Sequence, residues 1–446
     1  MPIDFDLSPA QKAVKELARG YSQDILAPLV AAADAEPDPL LSVQATIPAY
    51  IEAYKQGIAF GFLPTEYGGG GLTTLDIVIA AEEICAVDPG FACTLLVNGL
   101  GLLPVLYWGS EEQKERFFRP ATADVTGRFI VGYGASEPPG PASGTANFDT
   151  PLPKPAGIGL TAESDGDGYV LNGTKFWPCN VGGWDGLGAD FSLYVIRTDP
   201  NASGKEGTSA IIVERGTPGI TYEIINTQAH RLTGNWKITF DNARVPAENL
   251  IEGTFGNGDL LINRNFAWSG PVAGIAAVGV ARTAYETALA WAKENSAGGP
   301  GPIIRYQNAG YILGDVGAKI EACRYFCWKA AHYIDSHDYH GELIGAMCKT
   351  YCTETMLEAV YKCMQVVGVN SMNKDLVFDK LLREASLLPI YDGGNMGMQR
   401  RRVHGIIADP TFNPRAMMDN EFIEFTKDME GMDTIPGPTE VLAPAA

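Results

Sequence analysis

Positive charge is in short supply in this sequence. Of its 446 residues, 33 are basic and 53 are acidic, which gives a formal net charge of −20. Such an acidic excess argues against nucleic acid or an anionic membrane surface as a partner. Long hydrophobic runs are also absent, since no stretch reaches the roughly 18 uninterrupted apolar residues that a membrane span needs. We therefore expect a protein without a membrane span.

Targeting signals are absent too. The first 20 residues, MPIDFDLSPAQKAVKELARG, show neither an apolar signal core nor the Arg-rich pattern of a transit peptide. They predict a cytoplasmic protein. Within them, Ser8 followed by Pro9 predicts the start of a helix, because serine caps helix N-termini and proline fits the first turn.

Paired cysteine motifs are missing as well. The chain has eight cysteines but no CxxC, and a large chain in a reducing compartment does not need disulfides. The pairs Cys323/Cys327 and Cys348/Cys352 have the i,i+4 spacing that places two side chains on one helix face. A metal site is one interpretation, and small thiols packed in a core are the other. We favour the second, and we predict free thiols and no metal.

The pattern of the sequence changes twice along the chain, which predicts three domains and an extension. Residues 1–126 carry apolar residues at helical spacing, as in LSPAQKAVKELARGYSQDIL. Residues 127–250 contain short β-rich runs such as DFSLYVIRT between turn signals, which favour a compact antiparallel barrel or sandwich. Residues 251–410 return to long helices with short connections, typical of a bundle. Residues 411–446 are predicted to be a weakly structured C-terminal extension.

One acidic turn stands out near the end of the bundle. The segment LLPIYDGGNMGMQR, residues 387–400, places Asp392 after an apolar approach and before two glycines. An ordinary Asp-Gly turn is one interpretation, because both residue types favour turns. A functional carboxylate held on that turn is the other, and the rest of the chain favours it.

Six segments, in the same order, resemble signature motifs of the acyl-CoA dehydrogenase family over roughly residues 5–410. LPTEYGGGGL resembles the loop of the first helical domain, YGASEPPGPAS the LTEPGAGSD signature, and LNGTKFWPCN the NGxKxWITN strand. FDNARVPAENLIEG is similar to FxxVRVPxxNLLGE, CMQVVGVN to QxxGGxG, and LLPIYDGGNMGMQR to LxxIYEGTxxIQR. The resemblance implies an α+β multidomain fold with an N-terminal helical domain, a central antiparallel β-barrel domain and a C-terminal helical bundle. It also implies a homo-oligomer, usually a tetramer.

The resemblance implies a function as well. Members of the family oxidise an acyl-CoA thioester with FAD and pass the electrons to an electron-transfer flavoprotein. No amino-acid side chain accepts a hydride, so the cofactor must supply that chemistry. A carboxylate removes the α-proton while the hydride goes to flavin N5. By resemblance, Asp392 is the catalytic base in the place of the family's glutamate.

The same resemblance assigns eight residues to the cofactor. They are Tyr133, Ser136, Ser143, Trp177, Cys179, Gln365, Gly368 and Gly394. Trp177 is expected to pack against the isoalloxazine ring. Gln365 and Gly368 are expected to meet the adenine end of a cofactor held by a neighbouring subunit.

Five departures set the chain apart from the family pattern. Asp392 is one methylene shorter than glutamate, a loss of roughly 1.5 Å of reach. Cys179 and Gly394 replace hydroxyl-bearing residues near the cofactor. Gly270 stands where the family often has arginine, and the segment around 295–297 lacks the arginine that usually reaches a partner subunit's cofactor. Together they predict a divergent member that acts on a cyclic or otherwise bulky acyl group.

Two other functions fit the same fold. A flavin-dependent monooxygenase of the kind without a carboxylate base would show rapid reaction of its reduced flavin with oxygen, and Asp392 speaks against it. A non-catalytic assembly or binding protein would have lost its cofactor contacts and would stay colourless after addition of FAD. Both are retained as alternatives.

Overall fold

The first part of the chain is helical. The computed structural model describes residues 5–139, 158–202 and 207–423. The helices before the first strand are α1 (Pro9–Tyr21), α2 (Ala27–Ala35), α3 (Pro39–Gln44), α4 (Ile47–Lys55), α5 (Thr74–Cys85), α6 (Pro89–Trp108) and α7 (Glu111–Thr122). The predicted cap of α1 is confirmed, because the Ser8 side chain accepts a hydrogen bond from the Gln11 backbone and the Gln11 side chain accepts one from the Ser8 backbone.

Helix α6 bears on the expectation that no segment spans a membrane. By length and composition alone it could cross one, because it has 20 residues and a mean hydropathy of 1.7 over its most apolar window. That window is 72% buried inside the structure, as expected of a helix that packs in a protein core. The sequence analysis did not single out this helix, and the expectation that no segment spans a membrane is not confirmed.

A single sheet follows the first helices. Its strands in the described residues are β1 (Val131–Gly134), β2 (Thr161–Ser164), β3 (Gly168–Cys179), β4 (Phe191–Arg197), β5 (Thr208–Glu214), β6 (Ile220–Ile224) and β7 (Asn235–Pro246). Both β1 and β2 lie between β3 and β4, antiparallel to β3 and parallel to β4. The other pairings, β3–β7, β6–β7 and β4–β5, are antiparallel. The sheet is therefore mixed where we expected only antiparallel pairs, because a strand inserted between two antiparallel neighbours must run parallel to one of them.

The last part of the chain returns to helices. They are α8 (Gly258–Glu294), α9 (Gln307–Ser336), α10 (Glu342–Val367), α11 (Phe378–Leu387), α12 (Arg400–Ile407) and α13 (Pro414–Met418). The first three pack against one another in a bundle, with α8 and α10 in the most extensive contact.

Two glycines allow α8 and α10 to approach closely. A Cβ atom on Gly270 would lie 2.3 Å from the carbonyl oxygen of Gly345, and one on Gly345 would lie 2.5 Å from the carbonyl oxygen of Ala267. Neither position can hold a side chain without moving the helices apart. The arginine that the family often has at position 270 is thus replaced by a helix–helix contact.

Candidate active site

The predicted base lies on a strained turn. Asp392 has a φ of +51° and Gly393 has a φ of +66°, so two consecutive residues adopt the left-handed conformation. For a non-glycine residue this conformation costs roughly 1–2 kcal/mol, and surrounding contacts must enforce it. Two side chains do so. Gln399 Nε2 donates to the carbonyl oxygen of Asp392 at 3.0 Å, and Lys349 Nζ donates to that of Gly393 at 3.2 Å.

The carboxylate has a hydroxyl partner. Ser269, a buried residue of α8, donates from Oγ to Asp392 Oδ2 at 2.7 Å. Hydrogen bonds to ionised groups are short and strong, so this contact fixes one oxygen and leaves Oδ1 to face other partners. Sequence reasoning missed Ser269, because it lies 123 residues from Asp392 along the chain and no local motif marks it.

Two buried cations, Lys349 and Arg402, act electrostatically on the carboxylate. Removal from water raises the pKa of Asp392, while Lys349, Ser269 and Arg402 oppose the rise. The same removal from water lowers the pKa of Lys349 to about 8 and that of Arg402 to about 10. Asp392 is half-buried, so part of the residue is open to solvent. A carboxylate with a raised pKa is suited to accept a proton near neutral pH.

A glutamine near this turn is a further departure that sequence reasoning missed. In the family pattern IYEGTxxIQR, the arginine follows the glutamate by seven positions, and seven positions after Asp392 stands Gln399. Arg402, one helical turn later, donates to Gln399 Oε1 at 3.2 Å and to Asn263 Oδ1 at 3.0 Å. Arg402 therefore supplies a positive charge near the turn. Gln399 links the two, because it accepts a hydrogen bond from Arg402 and donates one to the Asp392 carbonyl oxygen.

The residues expected beside the flavin ring meet at the ends of β1 and β3. Tyr133 of β1 pairs with Cys179 of β3, next to a register shift between Phe176 and Cys179. Within that shift Trp177 has a φ of +75° and is 50% exposed, which leaves its flat indole open for stacking against a planar ring. These residues fit a flavin. The Cys179 thiol, by contrast, donates to Asn235 Oδ1 at 3.2 Å within the protein.

The other assigned cofactor residues are dispersed. Ser136 is half-buried, and its carbonyl oxygen accepts a hydrogen bond from the Phe176 backbone at 3.0 Å. Gln365 and Gly368 are exposed at the C-terminal end of α10. Gly394 is buried. Ser143 lies outside the described residues.

The two cysteine pairs come together across α9 and α10. The Sγ atom of Cys348 lies 3.6 Å from that of Cys327 and 4.0 Å from that of Cys352, and the Cys327–Cys352 separation is 3.8 Å. All three residues are buried. Burial raises the pKa of Cys327 and of Cys348 well above the usual thiol range, which favours neutral thiols over the thiolates that a metal requires. Our preference for packed core thiols stays a prediction.

Comparison with known proteins gives a consistent result. The family model described as acyl-CoA dehydrogenase, N-terminal domain, matches residues 8–124, and the C-terminal domain model matches residues 256–407. Nitroalkane oxidase from Fusarium oxysporum is 32% identical over 93% of this chain and 97% of its own length. Cyclohex-1-ene-1-carbonyl-CoA dehydrogenase from Syntrophus aciditrophicus is 32% identical over 76% of this chain and 77% of its own length.

Solved structures agree with these matches. A nitroalkane oxidase with an active-site aspartate-to-asparagine mutation, crystallised with 1-nitrooctane, superposes with a TM-score of 0.86 at 30% identity. It covers 94% of this chain and 100% of that one. Butyryl-CoA dehydrogenase from Megasphaera elsdenii superposes with a TM-score of 0.79 at 25% identity, over 91% of this chain and 100% of that one.

These matches define a class of flavin-dependent oxidoreductases. The chain belongs to the acyl-CoA dehydrogenase family. The predicted family and fold are confirmed, as is FAD as the cofactor. The protein is therefore an oxidoreductase of this fold, while the acyl-CoA substrate and the assigned site residues remain predictions.

Proposed function

We propose that the protein is a flavin-dependent oxidase of the nitroalkane class, in which Asp392 removes the proton from the carbon beside a nitro group. One observation carries the proposal: the 2.7 Å hydrogen bond from Ser269 Oγ to Asp392 Oδ2. Nitroalkane oxidase has an active-site aspartate and an active-site serine, each the subject of a mutant crystallised with a nitroalkane. This chain pairs the same two residue types, and it has aspartate where the acyl-CoA dehydrogenase pattern has glutamate.

Each residue of the site has a distinct task in such a reaction. FAD, when bound, accepts the electrons that leave the substrate. Asp392 accepts the proton, and its raised pKa brings it closer to the operating pH. Ser269 holds Oδ2, so the proton is expected to arrive at Oδ1. Trp177 offers a flat face to the flavin side of the site.

Negative charge develops on the substrate as its proton leaves, and a buried cation would stabilise it. The guanidinium of Arg402 is buried, and its hydrogen bonds within the described residues go to neutral groups of Asn263 and Gln399. A study of nitroalkane oxidase assigns roles in its reaction to an aspartate and to an arginine seven positions after it. In this chain Gln399 stands seven positions after Asp392. We therefore expect Arg402, one helical turn later in the sequence, to stabilise the negative charge on the substrate. The preferred nitroalkane is then expected to differ from that of the relative.

A second candidate is the dehydrogenation of a cyclic acyl-CoA, with an electron-transfer flavoprotein as acceptor. It is favoured by the 32% identity with cyclohex-1-ene-1-carbonyl-CoA dehydrogenase. The shorter reach of Asp392 also suits a bulky acyl group. Both candidates use the same base on the same turn, so substrate choice and electron acceptor separate them.

The test is anaerobic mixing of the FAD-loaded protein with 1-nitrohexane, 1-nitrooctane or cyclohex-1-ene-1-carbonyl-CoA. We expect the two nitroalkanes to bleach the flavin absorbance. Oxygen admitted afterwards should restore the absorbance within the time of one catalytic turnover. Bleaching by the acyl-CoA alone, with reoxidation that requires an electron-transfer flavoprotein, would contradict the oxidase and support the second candidate.

The assembly and location complete the proposal. We expect a homotetramer in the cytoplasm, and the exposure of Gln365 and Gly368 at the end of α10 supports a role for these residues towards a neighbouring subunit. Light scattering of the FAD-loaded protein is the direct measurement of the subunit number.

A further inference from the structure

A buried lysine contacts the turn that carries Asp392. Lys349 of α10 has no exposed surface. Its Nζ atom donates to the Gly393 carbonyl oxygen at 3.2 Å and to Asn395 Oδ1 at 2.9 Å, and it lies 5.8 Å from the centroid of the Tyr391 ring. Every one of these contacts falls on residues 391–395, so the ammonium group is dedicated to this turn.

The partner amide is itself fixed from α10. Asn395 Nδ2 donates to Thr353 Oγ1 at 2.9 Å and to Glu354 Oε1 at 3.3 Å. Lys349 and Thr353 are four positions apart and therefore lie on one face of α10, and Glu354 follows Thr353 directly. This face grips the turn on one side, while Gln399 holds the Asp392 carbonyl on the other.

Hydrogen bonding alone does not explain a lysine at this position. A buried ammonium group without a salt bridge loses several kcal/mol of solvation free energy, and the pKa of Lys349 is accordingly lowered to about 8. A neutral amide donor would not carry that penalty. The positive charge is therefore expected to have a role beyond hydrogen bonding. Of the two anions that raise the pKa of Lys349, Asp392 has the larger effect.

We propose that Lys349 is a positioning residue for the reaction: it holds the left-handed turn at residues 392–393 and its charge keeps the Asp392 carboxylate ionised and ready to accept a proton. This role of Lys349 rests on the proposed function, in which Asp392 is the base, and it is the same for either substrate.

The charged and titratable groups around Asp392 determine what removal of the lysine does. Besides Lys349, three groups interact electrostatically with Asp392: Arg402 of α12, Tyr133 of β1 and Cys93 of α6. Only Arg402 among these three carries a positive charge. Without Lys349 the carboxylate keeps one cation, so its pKa should rise.

The anion on the other side of Lys349 does not compensate. Glu354 also acts on the lysine, but Arg400 binds it through two hydrogen bonds of 2.8 Å each. Loss of Lys349 is therefore expected to act mainly on Asp392.

The experiment measures the protonation of Asp392 without any substrate. In FAD-loaded protein, infrared difference spectra recorded against pH follow the carbonyl stretch of the protonated carboxyl group, and Asp392→Asn assigns the band. We expect Lys349→Met to raise the Asp392 pKa by about one unit or more, since a neighbouring opposite charge shifts a carboxyl by about 1–3 units. Lys349→Gln should raise it as much, while Lys349→Arg should keep it near the parent value.

Matched controls make the outcome decisive. Lys362→Met changes a lysine of the same helix away from the turn, and it should leave the titration unchanged. An Asp392 titration that is the same in Lys349→Gln as in the parent would overturn the proposal, and Lys349→Gln serves alone if Lys349→Met does not fold. If Asp392→Asn reduced its flavin at the normal rate, Asp392 would not be the base, but the measured dependence of its pKa on Lys349 would stand. The failure of the proposed function and the failure of the role of Lys349 therefore give different results.

Discussion

Ser269 Oγ and Asp392 Oδ2 are joined by a 2.7 Å hydrogen bond between residues 123 positions apart. The contact links the N-terminal third of α8 to the turn before α12, and it ties the carboxylate to a helix that packs against both α9 and α10. A base held in this way has one oxygen fixed and one directed elsewhere, which restricts the direction from which a proton can arrive.

Substitution of the serine should therefore slow proton removal. Loss of this bond frees the carboxylate from its fixed position, and a displacement of about 1 Å can cost about 100-fold in rate, so Ser269→Ala should lower the rate of anaerobic flavin reduction by about 10- to 100-fold. The hydroxyl also lowers the pKa of Asp392. Its removal should shift the acidic limb of the pH–rate profile to higher pH.

The control for this change is Ser386→Ala, which removes an exposed hydroxyl of α11. It should leave both rate and profile unchanged. If Ser269→Ala lowered the rate with no movement of the acidic limb, the serine would not act through the carboxylate.

Trp177 offers a test of the flavin side of the site. Because half of its surface is exposed next to Tyr133 and Cys179, we expect Trp177→Ala to weaken FAD binding about 2- to 10-fold, the effect of one aromatic stacking contact. Trp177→Phe, which keeps an aromatic ring, should bind FAD nearly as well as the parent. Fluorescence titration of the apoprotein with FAD measures both. Equal affinity in the parent and in Trp177→Ala would remove the indole from the cofactor site.

A buried ion pair next to the site should govern stability. His230 Nδ1 lies 2.6 Å from Glu384 Oε2, and both side chains are buried. Although burial opposes the change, Lys380 and His230 lower the pKa of Glu384 to about 2, and Glu384 raises that of His230. Removal of one partner leaves the other charge unpaired, so Glu384→Gln should lower the free energy of unfolding by about 3–5 kcal/mol.

The pH dependence of this contribution follows from the two directions. Because the pKa of Glu384 is lowered, this carboxylate stabilises the fold above pH 4.5, its ordinary pKa, and the stabilisation is lost as the pH falls towards 2. A raised histidine pKa stabilises the fold below 6.5 and is lost as the pH rises through the folded value. The melting temperature of the parent should therefore be highest relative to Glu384→Gln between pH 4.5 and 6.5. A constant difference from pH 3 to 9 would contradict this assignment.

The sequence allowed much of the fold to be predicted, because local features encode it. The helix cap at Ser8, the strands bounded by turn signals and the order of six motifs are all short-range patterns, and the family and fold they imply are confirmed. The parallel pairings of β1 and β2 were not predictable, since they depend on which strands become neighbours after the chain has folded.

The site divides in the same way. Asp392 is marked by its own turn, whereas Ser269, Lys349 and Arg402 look like ordinary polar residues of helical segments. Only tertiary contacts bring them to within hydrogen-bond or electrostatic range of the carboxylate.

Stopped-flow reduction of the FAD-loaded Asp392→Asn protein tests directly whether Asp392 is the base. Asparagine keeps the size of the side chain but cannot accept a proton, so reduction by neutral 1-nitrohexane should be about 10²–10⁴-fold slower than in the parent. The anion of 1-nitrohexane, formed in base before mixing, has already lost that proton and should reduce the flavin of both proteins at similar rates. Reduction of Asp392→Asn by the neutral nitroalkane at the parent rate would contradict the account, because the base would then lie elsewhere.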